Sequence, residues 1–264
     1  MLPIYRAQFR VTFATQLQYR ASMIIWQIGT VLEPTIYLVV WRTIARSGGG
    51  SVGSYAVADF AAYFLVLMLV NHLTFTWIMW EYEYRIRQGM FSPLLLRPVH
   101  PIHMDIADNI THKLLAFSIL IPATGALWLA FRPALHPPGW AVAAAIPALI
   151  LAFFLRFLIE WTLAMVAFWT TRTMAVNQLY YVTMLFLSGQ IAPLELLPAP
   201  LRAVAIALPF RWMVAFPVEL ILGRLSPTAA LTGLAAQALW LALAYGLFRL
   251  VWRSGVRRYA AVGA

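Results

Sequence analysis

GWAVAAAIPALILAFFLRFLIEWTLAMVAFWTT, residues 139 to 171, carries only two charges, Arg156 and Glu160. A helix needs about 20 apolar residues to cross roughly 30 Å of hydrocarbon. At helical rise this run would reach about 50 Å, so it must tilt, start beyond Pro147, or project past a bilayer. Five other stretches share its character: 22–41, with Glu33 as its single charge, and 60–80, 114–131, 173–194 and 228–248, with none. The whole chain agrees with them. Of its 264 residues 62% are hydrophobic and 11% charged, with mean hydropathy +0.78, whereas a soluble domain carries about a quarter charged residues. The expectation is an all-α polytopic membrane protein with six transmembrane helices. Disorder, a secreted disulfide scaffold and an ordinary cytosolic enzyme are excluded. The lack of cysteine also excludes zinc-thiolate sites and catalytic thiols.

Outward from the spans, residues 1–20 read as an amphipathic helix on the membrane surface rather than a cleavable leader. Arg6, Arg10 and Arg20 interrupt any apolar core, while Tyr5, Phe9, Phe13 and Leu17 recur every four residues. A helical extension of the first span is the plainer alternative. With the N-terminus inside, Arg6, Arg10, Arg20, Arg85, Arg87, Arg97, Lys113, Arg172, Arg249, Arg253, Arg257 and Arg258 fall on the cytoplasmic side. Arg42, Arg46, Arg132, Arg202, Arg211 and Arg224 fall outside. Twelve against six places both termini in the cytoplasm, and the net charge of +10 points to anionic lipid headgroups rather than nucleic acid.

Two connections are long. Segment 195–227 is apolar but broken by Pro198, Pro200, Pro209, Pro217 and Pro227. Two short helices dipping into the outer leaflet and returning, a re-entrant hairpin between spans five and six, fit it; a surface-lying hairpin is the alternative. Segment 81–109 is charged, with Gly89 and Pro93 ending a helical piece and Pro98 and Pro101 stiffening the chain beyond it. A short amphipathic helix near 85–96 is expected there, as a docking surface or a solvated loop.

Several motifs are weak. Gly48, Gly50 and Gly53 satisfy GxGxxG, but come after an apolar span rather than a strand, and read as a flexible outer turn. His100, His103, Asp105, Asp108 and His112 are potential metal ligands without a recognised spacing. Ser188-Gly189 lacks the preceding glycine of an intramembrane protease, since Phe186 stands there. Lys113, the only lysine, is preceded by His112, so no Walker A site exists, and any ATP used must bind another polypeptide. Arg156 and Glu160, four apart, can pair on one helix. Their role is structural packing or direct participation in substrate passage. Glu33 beside Pro34 has no evident local partner.

Taken together, EYEYRIRQGMFSPLLLRPVHPIHMDIADN (81–109), RFLIEWTLAMVAFWTTR (156–172), FLSGQIAPLELLP (186–198) and LPFRWMVAFPVELILGRL (208–225) resemble the permease subunit of a bacterial type-two ATP-binding-cassette (ABC) exporter. The resemblance covers essentially the whole chain as a single transmembrane domain, 1–264. It implies a coupling helix around 86–93 seated in a cleft of a separate ATPase, with Arg85, Arg87, Gln88, Met90 and Phe91 as contacts. It also implies an outer gate in 191–225, where Pro193, Glu195, Arg211 and Glu219 lie. A second permease chain, identical or related, and the bacterial cytoplasmic (inner) membrane are implied as well. The chain itself would hold no cofactor and catalyse no reaction; ATP and Mg would belong to the ATPase. A secondary transporter or channel independent of ATP is the alternative.

Overall fold

The computed structural model describes residues 2–170 and 172–259, with the side chains of Leu2 and Arg87 outside the described set. Twelve α-helices in this range account for nearly all regular structure: α1 (Leu2–Gln18), α2 (Arg20–Ser47), α3 (Val57–Thr74), α4 (Ile78–Arg87), α5 (Ser92–Leu95), α6 (Pro101–Phe131), α7 (Gly139–Ala164), α8 (Met174–Leu187), α9 (Ala199–Ala207), α10 (Phe210–Met213), α11 (Ala215–Ile221) and α12 (Pro227–Arg258). A 3₁₀ turn, Met165–Phe168, prolongs α7.

Among the described residues, five helical stretches are long and apolar enough to cross a membrane: α2, the α3–α4 pair, α6, α7 with its 3₁₀ extension, and α12. The stretch expected at 173–194 is different. Its helix, α8, has 14 residues, about 21 Å. It stops because Gly189 takes φ +89, and the Gly189 carbonyl turns away to accept the Tyr63 hydroxyl at 2.8 Å. An apolar run thus contains a helix end that its composition does not reveal.

Three more boundaries depart from the sequence reading. The second span is interrupted at residues 75–77, and α4 resumes to Arg87 in place of a separate surface helix over 85–96. After it, Gly89 at φ +68 turns the chain and α5 is a single turn. The charged connection also ends early, because α6 begins at Pro101 in the N1 position. There the missing proline N–H costs nothing, and the His100 ring accepts the Ile102 N–H at 3.2 Å. Finally, the glycine-rich outer turn is a minimal antiparallel hairpin, Ser51–Val52 with Tyr55–Ala56. Gly49, Gly50 and Gly53 supply its left-handed backbone.

Helix α3 is the centre of the bundle. Phe60, Tyr63, Phe64, Leu67 and Val70 are fully or almost fully buried, and so are positions between them; an all-round apolar helix is the mark of a core element. Helices α2, α6 and α12 bury only narrow stripes. On α12 the stripe carries small residues that admit neighbours closely. A Cβ on Gly233 would lie 2.0 Å from Phe216, and one on Gly255 2.4 Å from Phe168. Gln237, buried on the same face, donates to the Ala148 carbonyl at 3.0 Å and the Trp212 carbonyl at 2.8 Å. This ties α12 to α7 and α10 through groups that have no water to turn to.

Candidate functional site

Chemistry-bearing residues gather in four places. The first is the turn between α4 and α5. Gln88 and Met90 are exposed, and Arg87 ends α4 with its side chain outside the described set. Phe91 is the opposite case. It is fully buried, with its ring against Tyr82 (5.6 Å), Phe168 (5.4 Å), Trp252 (6.2 Å) and Tyr259 (5.6 Å). The family resemblance implies Phe91 as a contact with a partner. In this chain it instead plugs the turn into the bundle, because a phenyl ring gains most from an apolar socket. Beside it Ser92 Oγ and the Tyr259 hydroxyl are 2.8 Å apart, joining the turn to the end of α12.

Arg85 is likewise engaged rather than free. It donates to Glu81 and to Asp105, each at 2.8 Å. Asp105, buried on α6, also accepts the Tyr82 hydroxyl at 2.7 Å and the Trp161 indole N–H at 2.8 Å. One carboxylate therefore locks α4, α6 and α7 together at the end of the bundle that carries the turn. On sequence Asp105 was only one of a crowd of possible metal ligands. The structure disperses that crowd, and among the described residues no cluster of three or more such ligands forms. The His100 ring lies tilted against Trp252, centroids 4.3 Å apart, and burial lowers its pKa to about 4. His103, Asp108 and His112 turn to α1. Tyr5 and His103 are 2.8 Å apart, Gln8 donates to Asp108 at 2.9 Å, Thr12 also bonds Asp108, and Gln16 lies 3.2 Å from His112. The polar face of α1 thus runs alongside α6 in the same direction. Phe9, Phe13 and Leu17 are left exposed on its other side.

The second place is the 75–77 interruption. Breaking a helix orphans backbone groups, which are costly where water is absent. Three charges surround it. Arg156 donates to Glu160 (2.8 Å), to Asn71 Oδ1 (2.8 Å) and to Thr74 Oγ1 (3.3 Å). Glu160 also accepts hydroxyls from Thr76 and from Tyr180, the latter at 3.2 Å. Lys113 reaches in from α6 to bond the Phe75 carbonyl. Its own backbone carbonyl lies 3.2 Å from His72 Nε2. Helical spacing makes the Arg156–Glu160 pair visible in the sequence. It does not reveal Lys113, Thr76, Asn71 and Tyr180, which reach the pair only through the fold.

The third place is the opposite end. Arg211 donates to Glu219 at 2.8 Å, and burial pushes the Glu219 carboxyl above its ordinary range against the pull of that arginine. Glu195 accepts from Ser54 at 3.0 Å and lies 3.7 Å from Arg224. Arg224 also reaches Asp59 at 3.5 Å and sits 3.5 Å over the Tyr55 ring. Pro193 precedes a 3₁₀ turn, Leu194–Leu196, and Trp41 donates to the Ile191 carbonyl at 2.7 Å. Arg224 thereby clips the glycine-rich hairpin onto the broken segment; the sequence reading had not singled it out. The fourth place is the seam between α7 and α12, where Arg253, Arg257 and Arg258 stand exposed near the end of α12.

A helical bundle with several bilayer-length helices, buried charges stitched across a helix break, and both ends closed by clipped loops is a multi-pass membrane protein. The family model described as "ABC-2 family transporter protein" matches residues 31–263, so the chain belongs to the ABC-2 transporter family and is of the type-two ABC permease kind. A search of curated proteins and of solved structures finds no match.

Proposed function

We propose that this chain is the membrane-spanning permease subunit of an ATP-driven exporter, forming the translocation pathway with a second permease chain, identical or related. Two separate ATPase subunits dock beneath it and hold the ATP and Mg. In this reading α8 is a sixth, short crossing, and residues 195–227 form a re-entrant outer segment gating the pathway. Both termini lie in the cytoplasm of a bacterium, α1 rests at the membrane interface, and the membrane is the inner one.

The observation that carries this reading is the α4–α5 turn in a chain of this family. Gln88 and Met90 stand free on its outer side while Phe91 seats its inner side in the bundle. A turn that is exposed on one face and plugged on the other transmits a push. Closure of the ATPases on ATP would press the turn, and Phe91 and the Asp105 lock would pass the displacement to α12, α6 and α7. Arg87 belongs to the same contact, and Arg85 to its support. Pro193, Glu195, Arg211 and Glu219 would open or close the far end as the bundle responds. ATP hydrolysis belongs to the separate ATPase subunits.

Native mass spectrometry of the complex, purified gently from its own membrane, tests the assembly. Two nucleotide-binding ATPase subunits with two permease chains are expected. A stable assembly without any ATPase, active in vesicles, would overturn it. Substituting Gln88 and Met90 together with alanine should leave insertion intact while cargo no longer stimulates ATP hydrolysis; unchanged stimulation would remove the turn from the coupling path.

A further inference from the structure

Helices α7 and α12 run side by side, and their seam holds two recesses in line. Toward the end that carries the α4–α5 turn, Trp169, Leu250, Arg253, Ser254, Arg257 and Arg258 line a space of about 580 Å³. Farther along, Leu151, Phe154 and Leu158 of α7 face Ala238, Leu241, Ala242 and Tyr245 of α12 across an almost wholly apolar groove of about 370 Å³. One stripe of α12 connects them: Ala238, Leu241, Tyr245, Arg249, Arg253 and Arg257 recur every three or four residues. Arg249 lies between them on this stripe, its guanidinium 5.9 Å from the Tyr245 ring centroid.

The arginines lack anions. No Asp or Glu lies beyond Glu219 in these 264 residues. Among the described residues, the ion pairs of this structure engage Arg85, Arg156, Arg211 and Arg224, and none of the four arginines at the end of α12. Arg253, Arg257 and Arg258 are all exposed. A helix C-terminus accommodates a cation or two through its dipole, but four in the last three turns exceed that need. Guanidinium forks match phosphate oxygens in pairs, which ammonium groups do not. A tryptophan at the rim suits the boundary between headgroups and acyl chains.

From this alignment we infer that the α7–α12 seam binds an anionic phospholipid. Arg253, Arg257 and Arg258, with Ser254 and Trp169, hold its phosphodiester, and the apolar groove receives an acyl chain. The dimensions agree. From Leu241 to Arg253 the helix rises about 18 Å, and one leaflet's hydrocarbon is about 15 Å thick. The inference rests on the chain lying in a bilayer and is independent of whether an ATPase docks. The lipid is a resident ligand of this flank. A free phosphate would use the same arginines but leave the groove empty.

The test uses the full-length chain, delipidated in mild detergent, with phosphatidylglycerol or phosphatidylcholine added and bound lipid counted by native mass spectrometry. Phosphatidylglycerol should be retained in preference to phosphatidylcholine. Each guanidinium near an anionic surface is worth about a fivefold change in affinity, so R253Q/R257Q/R258Q should weaken retention about 100-fold. The corresponding triple lysine variant should recover part of the loss. A242W, which fills the groove and leaves the arginines untouched, should also reduce retention. Equal binding of the two lipids, or retention unchanged in the glutamine variant, would overturn the inference. Displacement of phosphatidylglycerol by millimolar inorganic phosphate, with A242W silent, would assign the arginines to a free phosphate and overturn the lipid. Should the triple variant not remain monodisperse, the three single glutamine variants give the same reading one step at a time.

Discussion

Removing either member of the Arg156–Glu160 pair should cost unequally, and the structure sets the order. Among the described residues, Glu160 is the one anion bonded at a break that also holds Arg156 and Lys113. Glu160→Gln leaves two buried cations facing each other without a counter-charge, in surroundings where an uncompensated buried charge costs about 3–5 kcal/mol. Arg156→Met strands the Asn71 and Thr74 acceptors but leaves Lys113 to balance Glu160, so a loss of about 1–3 kcal/mol is expected, the range for unsatisfied buried polar groups. The double variant R156M/E160Q removes one charge of each sign and should lose at least about 2 kcal/mol less than the sum of the singles. Thermal unfolding in detergent, monitored by loss of the monodisperse peak, reads all four states of the cycle. At about 2–4 °C per kcal/mol for a chain near this size, Glu160→Gln should fall by roughly 6–20 °C. Coupling below about 0.5 kcal/mol, or a larger loss in Arg156→Met than in Glu160→Gln, would refute the account of three mutually compensating charges.

Other contacts set further outcomes. Phe91→Ala empties a fully buried socket and should cost about 3–5 kcal/mol by the same thermal assay. Met90→Ala, on the exposed side of the turn, should change stability by less than about 0.5 kcal/mol. Gly233→Ala drives a methyl into Phe216, whose ring already crowds the α12 backbone; a loss of about 1–3 kcal/mol is expected, and an unchanged Tm would show that the two helices slide apart freely. His100, with its pKa lowered to about 4, should stay neutral from pH 7 to pH 5. Because its folded pKa lies below the unfolded value of about 6.5, its contribution to stability is complete above pH 6.5 and is lost as pH falls toward 4. Imidazole NMR shifts, assigned with His100→Phe, check this; a titration midpoint near 6.5 would refute it.

What the sequence discloses is set by distance along the chain. Local signals are legible: the apolar runs that become α2, α6, α7 and α12, the four-residue spacing of Arg156 and Glu160, and the prolines that fragment 195–227 into α9, α10 and α11. Two local signals are present but outweighed. Pro101 begins α6 in the position where proline is favoured, though it sits in a charged segment that otherwise reads as loop. Ser188-Gly189 ends α8, yet glycine is common in membrane helices, and only the Tyr63 bond to Gly189 shows that this one turns. Phe91 is illegible for a different reason. Nothing in GMFSP distinguishes an exposed contact from a plug, since Phe168, Trp252 and Tyr259 arrive from distant helices. Asp105 hides likewise, because its three donors lie on two other helices.

The stitched break at 75–77 imposes an order on biogenesis. Thr76 and the Glu160 it binds are separated by 84 positions, and ribosomes add about 5–20 residues per second. For roughly 4 to 17 s the nascent chain therefore holds a severed helix and, once Lys113 is made, a cation, before the anion that completes them has been translated. During that interval the half-built protein offers insertion machinery or a membrane protease a recognisable unfinished state, one that closes when Glu160 arrives.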